Sequence, residues 1–265
     1  MIYANYHTHT MRCNHAQGTE DEYVEAAIAS GMKILGFSDH TPYFALPREH
    51  YSGFRMKPEQ AEDYFNSVLR VRDKYKDKIT IYAGVEAEFY PKYFGDLLDN
   101  FRRFPIQYMI LGQHFLDNEI GSTYAFTRTT DEVLLEKFVK QMIRAIDTGA
   151  FSYVAHPDLM EFDGDEKIYA KHYRKLCEHC LEKDMALELN LLGLGGGRHY
   201  PNEKFFKIVG EMGNKVIIGC DAHSPAMLSP GKTLDRAMDM ADKFKLNLID
   251  TIELKDPKKI YFEEE

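Results

Sequence analysis

Short apolar runs of strand length alternate with longer stretches of helical periodicity almost to the end of this 265-residue chain, and nothing else in it limits the fold so strongly. Seven strand-like runs are visible, at 2–9 (IYANYHTH), 32–40 (MKILGFSDH), 79–89 (ITIYAGVEAEF), 107–115 (QYMILGQHF), 151–157 (FSYVAHP), 185–193 (MALELNLLG) and 215–223 (KVIIGCDAH). Helix-like segments follow them at 19–30, 57–76, 92–103, 130–149, 166–183, 202–212 and 229–245. Thr19 stands three residues before Glu22, the spacing of a capping box; Thr130 precedes Val133 and Leu134, with Asp131 and Glu132 in the first turn; Gly149 supplies a stop. A helix between successive strands imposes right-handed crossovers and a parallel sheet, so the expected class is α/β, with seven units closing into a barrel. With no Gly-, Ser- or Pro-rich linker, low-complexity tract or repeat, residues 1–265 are expected to form a single domain.

Composition narrows the setting. With 44% apolar and 28% charged residues the chain can bury a full core. No apolar run approaches the roughly 20 residues needed to span a bilayer, and the first residues lack a basic segment followed by an apolar one. Four unevenly spaced cysteines suit a reducing compartment, so the cytoplasm is expected and a membrane partner is not. A formal charge of -9 disfavours nucleic acid, yet a small phosphorylated ligand stays compatible with it if bound divalent cations invert the local sign.

Such a site is foreshadowed where the strand-like runs end. His7 and His9 close the first, Asp39 and His40 the second, Glu86 lies near the end of the third, and His114 ends the fourth. His156 ends the fifth, and Asp221 and His223 the seventh. In a parallel barrel these ends share one rim, where barrel active sites lie. Side chains alternate along a strand, so His7 and His9, and likewise Asp221 and His223, share a face. One histidine at a strand end is ordinarily a hydrogen-bonded rim residue. Here seven of eleven fall at such ends or, as His15, just after one, and imidazoles with carboxylates suit Zn, Mn or Fe. Cys177 and Cys180 form a lone C-x-x-C inside a helix-like segment with no second pair, and read as two helical thiols; no cysteine has the setting of a ligand.

The pattern resembles the polymerase and histidinol phosphatase (PHP) family, especially its small stand-alone phosphatases. The likeness rests on H-x-H followed by a further histidine (His7, His9, His15), S-D-H (Ser38, Asp39, His40), G-x-E (Gly84, Glu86) and D-x-H (Asp221, His223), with His114 and His156 between them. It implies a distorted seven-stranded, TIM-like (β/α)7 barrel and three divalent metal ions. By position, His7, His9, Glu86 and Asp221 would hold one ion, and Glu86 would bridge to a second on His114 and His156. A third would take His15, His40 and His223. Asp39 is expected to orient a ligand, and Glu88 shares a face with Glu86 and competes for the bridging role.

The resemblance implies hydrolysis of a small phosphate ester by attack of a metal-bridging hydroxide, with L-histidinol phosphate of histidine biosynthesis as the expected substrate. Arg198, on what reads as a mobile loop at 193–198, is the expected phosphate clamp because guanidinium forks match phosphate oxygens; Arg12 and His199 are further candidates, and Arg128 a weaker one. Related phosphatases carry a second basic residue after the fifth strand, where this chain has Leu159, Met160 and Glu161. The connections 43–57 and 117–130 are expected to wall the site. Competing readings are a phosphoesterase for nucleotides or other small esters, an amidohydrolase, which commonly uses a bridging lysine where this chain has Glu86, and a metal-binding module without turnover.

Overall fold

The computed structural model describes residues 1–47, 49–50 and 52–263, so Arg48 and Tyr51 of the expected wall 43–57 lie outside the described residues. Eight strands form one sheet in chain order, each pair parallel. They are β1 (Ala4–Asn5), β2 (Ile34–His40), β3 (Thr80–Ala87), β4 (Tyr108–Leu111), β5 (Tyr153–Val154), β6 (Ala186–Asn190), β7 (Lys215–Gly219) and β8 (Asn247–Leu248). The crossovers carry α1 (Glu20–Ala29), α2 (Ala61–Tyr75), α3 (Pro91–Phe101), α4 (Glu132–Asp147), α5 (Glu166–Glu182), then α6 (Leu191–Gly195) with α7 (Glu203–Met212), and last α8 (Lys232–Phe244). None of the described helices is long and apolar enough to cross a membrane.

Seven strands were expected, and eight are present among the described residues. The extra one, β8, is two residues long and pairs only with Lys215 and Val216 at the start of β7, too little chain to leave a periodic signal. At the other end of β7 the sheet curls round to meet β1. Thr8 and Ala222 form a parallel bridge, in which His9 N–H donates to Ala222 O at 2.9 Å and Ala222 N–H to His7 O at 3.1 Å. The ring is therefore stitched at its C-terminal rim by backbone next to the candidate ligands.

Local chemistry explains the boundaries. Thr19 and Glu22 form the expected capping box of α1, with the Thr19 N–H donating to Glu22 Oε2 at 2.7 Å. α4 starts one residue later than expected: Asp131, not Thr130, accepts the Val133 N–H at 2.8 Å. The run 185–193 breaks at Asn190, whose side chain accepts the Gly193 N–H and opens α6, so most of the expected loop 193–198 is helix or its cap. Several apolar runs outlast their strands. His156 (φ 27°) and Asp221 (φ 49°) leave the extended region, and their side chains hang from irregular backbone beyond β5 and β7. Below them the ring is filled: the Tyr108 hydroxyl lies 2.8 Å from Tyr6 O and 3.0 Å from Phe37 O.

Candidate metal centre

The nine expected ligands converge at the C-terminal rim, with Glu86 at the centre. Its Oε2 lies 2.9 Å from His40 Nδ1, 3.5 Å from His7 Nε2 and 3.6 Å from His9 Nε2. Its Oε1 meets His156 Nε2 at 2.7 Å and His114 Nε2 at 3.6 Å. Asp221 Oδ1 sits 3.0 Å from His9 Nε2 and 3.4 Å from His7 Nε2, and His15 faces His223 through Nε2 atoms 2.9 Å apart. Both H-x-H members thus reach one carboxylate, as strand alternation requires. Gly112 is what gives Glu86 its place, since a Cβ there would come 2.5 Å from the Glu86 Cδ.

Proton bookkeeping at this rim shows that its donor atoms suit cations. His15 Nδ1 lies 2.7 Å from Cys13 O, and His223 Nδ1 3.0 Å from Asp221 O. A carbonyl only accepts, so each Nδ1 carries the proton, and in the neutral rings two Nε2 lone pairs confront each other. The same logic holds for His7, whose Nδ1 is 2.8 Å from Glu188 Oε1, and for His114, whose Nδ1 is 3.0 Å from Glu88 Oε1. In the neutral rings their Nε2 lone pairs would face Glu86 and Asp221, which are acceptors too, so a proton or a cation has to stand between them. Buried His7 Nε2, both nitrogens of His9, His40 Nδ1, Glu86 Oε2 and His156 Nδ1 have no hydrogen-bond partner; His40 Nδ1 and Glu86 Oε2 are close but misaligned. Buried acceptors packed against acceptors are stabilised by a proton or a divalent cation between them.

Among the described residues, five sets of three side chains hold their ligand atoms within 4.8 Å of one another. Two of them, His7 with His9 and Glu86, and His15 with His40 and His223, fall within the expected groupings. Another two cross those groupings: His40 with Glu86 and His114, and His7 with His156 and Asp221. The fifth joins His9 and His223 to Cys13, a thiol that the sequence pattern set aside and the short turn Met11–Cys13 brings inward. Cys177 and Cys180 are buried free thiols on α5.

The charges are strongly coupled. Burial alone would push the His7 imidazole down, but Asp221, Glu188 and Glu86 hold it well above the ordinary range. Burial would likewise raise Glu86, whereas His40, His114 and His7 hold it well below the usual carboxylate range. His223 goes the other way, to about 3, through burial and the neighbouring His9.

A cavity of 530 Å³ opens over the cluster, with Phe54, Phe115, Tyr124, Phe126, Leu159, Leu192, Arg198 and Tyr200 in its wall. Both expected wall segments contribute, through Phe54 and through Tyr124 and Phe126. Arg198 reaches the cavity and donates to the Tyr200 hydroxyl at 2.7 Å. Arg12 is not among the lining residues: its guanidinium is held by Glu20 and Asp63, each at 2.6 Å. His199 also turns aside, its Nε2 2.7 Å from Leu159 O, and Arg128 pairs with Asp163 on the surface. Asp39 stands 3.5 Å from His9 Nδ1 and accepts the His40 N–H at 2.8 Å, so it backs His9 rather than the His40 ring.

Glu188 is the residue that sequence reasoning passed over. Its Oε1 takes His7 Nδ1; its Oε2 accepts the His156 N–H at 2.9 Å and Asn190 Nδ2 at 2.8 Å, and Asn190 reaches on to Asp221 at 3.1 Å. One acid inside the apolar run MALELNLLG was the available signal. Glu88, two residues beyond Glu86, is occupied by Arg55 at 3.1 and 3.2 Å.

Known proteins share this architecture. A "Probable histidinol-phosphatase" of Deinococcus radiodurans is 28% identical over 231 residues, covering 83% of this chain and 85% of the relative. A "Probable phosphatase" of Clostridium acetobutylicum is 25% identical over 253 residues, covering 94% and 90%. The crystal structure of histidinol phosphate phosphatase from Lactococcus lactis, complexed with zinc, L-histidinol and phosphate, has the same fold, with a TM-score of 0.71 over 97% of this chain and 98% of that one at 16% identity. Residues 5–191, which carry every candidate ligand except Asp221 and His223, match the PHP domain, and the chain belongs to that family.

Proposed function

We propose that this protein is a divalent-cation-dependent phosphomonoesterase that hydrolyses L-histidinol phosphate to L-histidinol and phosphate. The observation that carries the reading is the confrontation of acceptor atoms, at Glu86 and between His15 and His223, beneath a cavity that also holds the Arg198 guanidinium. The name of the Deinococcus relative and the L-histidinol and phosphate in the Lactococcus complex support the choice of substrate.

In this reading His7, His9, Glu86 and Asp221 would hold one ion, Glu86 with His114 and His156 a second, and His15, His40 and His223 a third, of Zn, Mn or Fe. When bound, such ions supply positive charge to phosphoryl oxygens and lower the pKa of water toward neutrality. The chain does the positioning. Arg198 presents a planar fork to two phosphoryl oxygens, braced by Tyr200. Glu188 and Glu88 keep the proton on Nδ1 of His7 and His114, which leaves Nε2 free to ligate. Phe54, Phe115, Tyr124 and Phe126 offer flat faces to a ring-bearing alcohol and displace water from it.

The test is phosphate release by protein stripped of metal and reloaded with Zn, Mn or Fe, on L-histidinol phosphate, an aryl phosphate and a nucleotide panel. The expected result is metal-dependent turnover with kcat/KM at least about tenfold higher for L-histidinol phosphate. A higher value for a nucleotide or aryl ester would replace the substrate, and no turnover on any ester would overturn the reading.

A further inference from the structure

Arg55 lies outside the candidate ligand set, is almost fully buried, and sits where both wall segments meet the cluster. From the segment 43–57 its guanidinium grips Glu88 with two prongs, Nη1 to Oε2 at 3.1 Å and Nη2 to Oε1 at 3.2 Å, while Nη1 also donates to Thr41 O at 3.2 Å. Nη2 makes a second ion pair with Glu119, on the segment 117–130, and Glu119 Oε1 lies 3.1 Å from His50 Nε2. The guanidinium rests 4.4 Å from the centre of the Phe54 ring, and that ring lies 5.1 Å from His40 and 5.8 Å from His114. Glu88 Oε1, held by this fork, is the atom that receives His114 Nδ1–H.

We propose that Arg55 is a positioning residue that sets the His114 imidazole through Glu88, and that Glu119 makes this setting depend on the seating of the second wall segment. A two-pronged grip fixes the plane of the Glu88 carboxylate, and the carboxylate fixes which His114 nitrogen carries the proton and where the other points. Without the grip, Glu88 is a loose anion two residues from Glu86, able to turn toward the same cations. One buried guanidinium against two buried carboxylates is stable only as a complete set, so displacing Glu119 loosens the fork as a whole. The seating of the segment that carries Glu119 and the alignment of His114 are thereby linked through one guanidinium. The proposal rests on the metal-site reading above.

Zn²⁺ titrated into metal-stripped protein against a chromophoric chelator tests it before any substrate is added, with circular dichroism to count folded molecules. Arg55→Met, which keeps an apolar stem beside Phe54, should weaken Zn²⁺ binding per folded molecule about 10- to 100-fold and lower kcat on the best ester similarly, with KM changed less than about threefold. Arg55→Lys, charged but unforked, should recover only part of the loss; the isosteric Glu119→Gln should show the same pattern, weakened severalfold. A residue of merely structural importance would lower the folded fraction and leave Zn²⁺ affinity per folded molecule at the wild-type value. That result in Arg55→Met overturns the proposal; if Arg55→Met does not fold, wild-type affinity and kcat in Glu119→Gln and Glu88→Gln do so. A wild-type protein that takes up no Zn²⁺ overturns the metal-site reading and this proposal together, whereas Zn²⁺ uptake with unaltered variants overturns the proposal alone.

Discussion

Replacing Gly112 by alanine adds a single methyl group at the point where Glu86 passes the backbone. Gly112 follows β4, donates to Ala87 O at 3.2 Å and has no left-handed φ, so alanine suits the backbone itself. The obstacle is steric. Its Cβ would strike Glu86 Oε1 first and lie 2.5 Å from Cδ and 2.6 Å from Cγ, against about 3.4 Å for an ordinary contact, so the carboxyl group must retreat by at least about 0.9 Å. That displacement breaks the 2.7 Å contact with His156 and shifts the atom shared by His7, His9 and His40. A misplacement of about 1 Å in a reacting constellation costs roughly 100-fold in rate, or about 2.7 kcal/mol of barrier. Overpacking adds about 1–3 kcal/mol of destabilisation. The assay is kcat/KM for phosphate release at saturating Zn²⁺, with bound zinc measured on the same sample and folding checked by circular dichroism. A folded Gly112→Ala protein with full zinc content and kcat/KM within threefold of wild type would refute the claim that the site turns on the position of Glu86.

Other expectations concern the ions, the clamp and one buried acid. Chelation should abolish turnover and lower the melting temperature by several degrees, since ligand at about 100 times its Kd contributes about 2.7 kcal/mol; a melting curve indifferent to chelator would count against cations at the rim. Arg198→Ala should cut kcat/KM about 10- to 100-fold with zinc content unchanged, and Arg198→Lys should not restore it, because an ammonium cannot reproduce the fork; full rescue by lysine would reduce Arg198 to a point charge. Asp158 is buried, and burial pushes its carboxyl up to about 7 although the Asn202 N–H opposes the shift. Its neutral form is the one the fold prefers, so its contribution is full below an unfolded pKa near 3.8 and is lost as pH rises toward 7, on the order of a few kcal/mol. Urea midpoints of metal-stripped wild type and Asp158→Asn, compared from pH 4 to 7.5, should diverge as pH rises; parallel curves would show that the carboxyl titrates normally.

Much of this was legible in the sequence because two periodicities act together. Apolar runs marked seven strands, and the residues at their ends share a rim by the geometry of parallel βαβ units alone. The spacing of His7 and His9 was enough to place both on one face, and in the structure both reach Glu86. What escaped was short or mutual. β8 is two residues long, and α6 begins because of one side-chain hydrogen bond from Asn190. Arg12 reads like a phosphate ligand by its place between His9 and His15, but Glu20 and Asp63, from α1 and α2, claim it. Glu188 and Arg55 matter through partners far away in the chain, and no local pattern records such a pairing.

The stitch between residues 7–9 and 221–223 has a consequence for how the molecule comes into being. Those segments stand near opposite ends of the chain, so a nascent polypeptide that has not yet delivered Cys220 to His223 carries most of its imidazoles on an open sheet with no opposing edge. Contacts of such sequence separation form slowly and late. A fragment stopped before that point lacks two of the candidate ligands, and loss of a few residues there removes part of the candidate metal centre and the join of the ring at once.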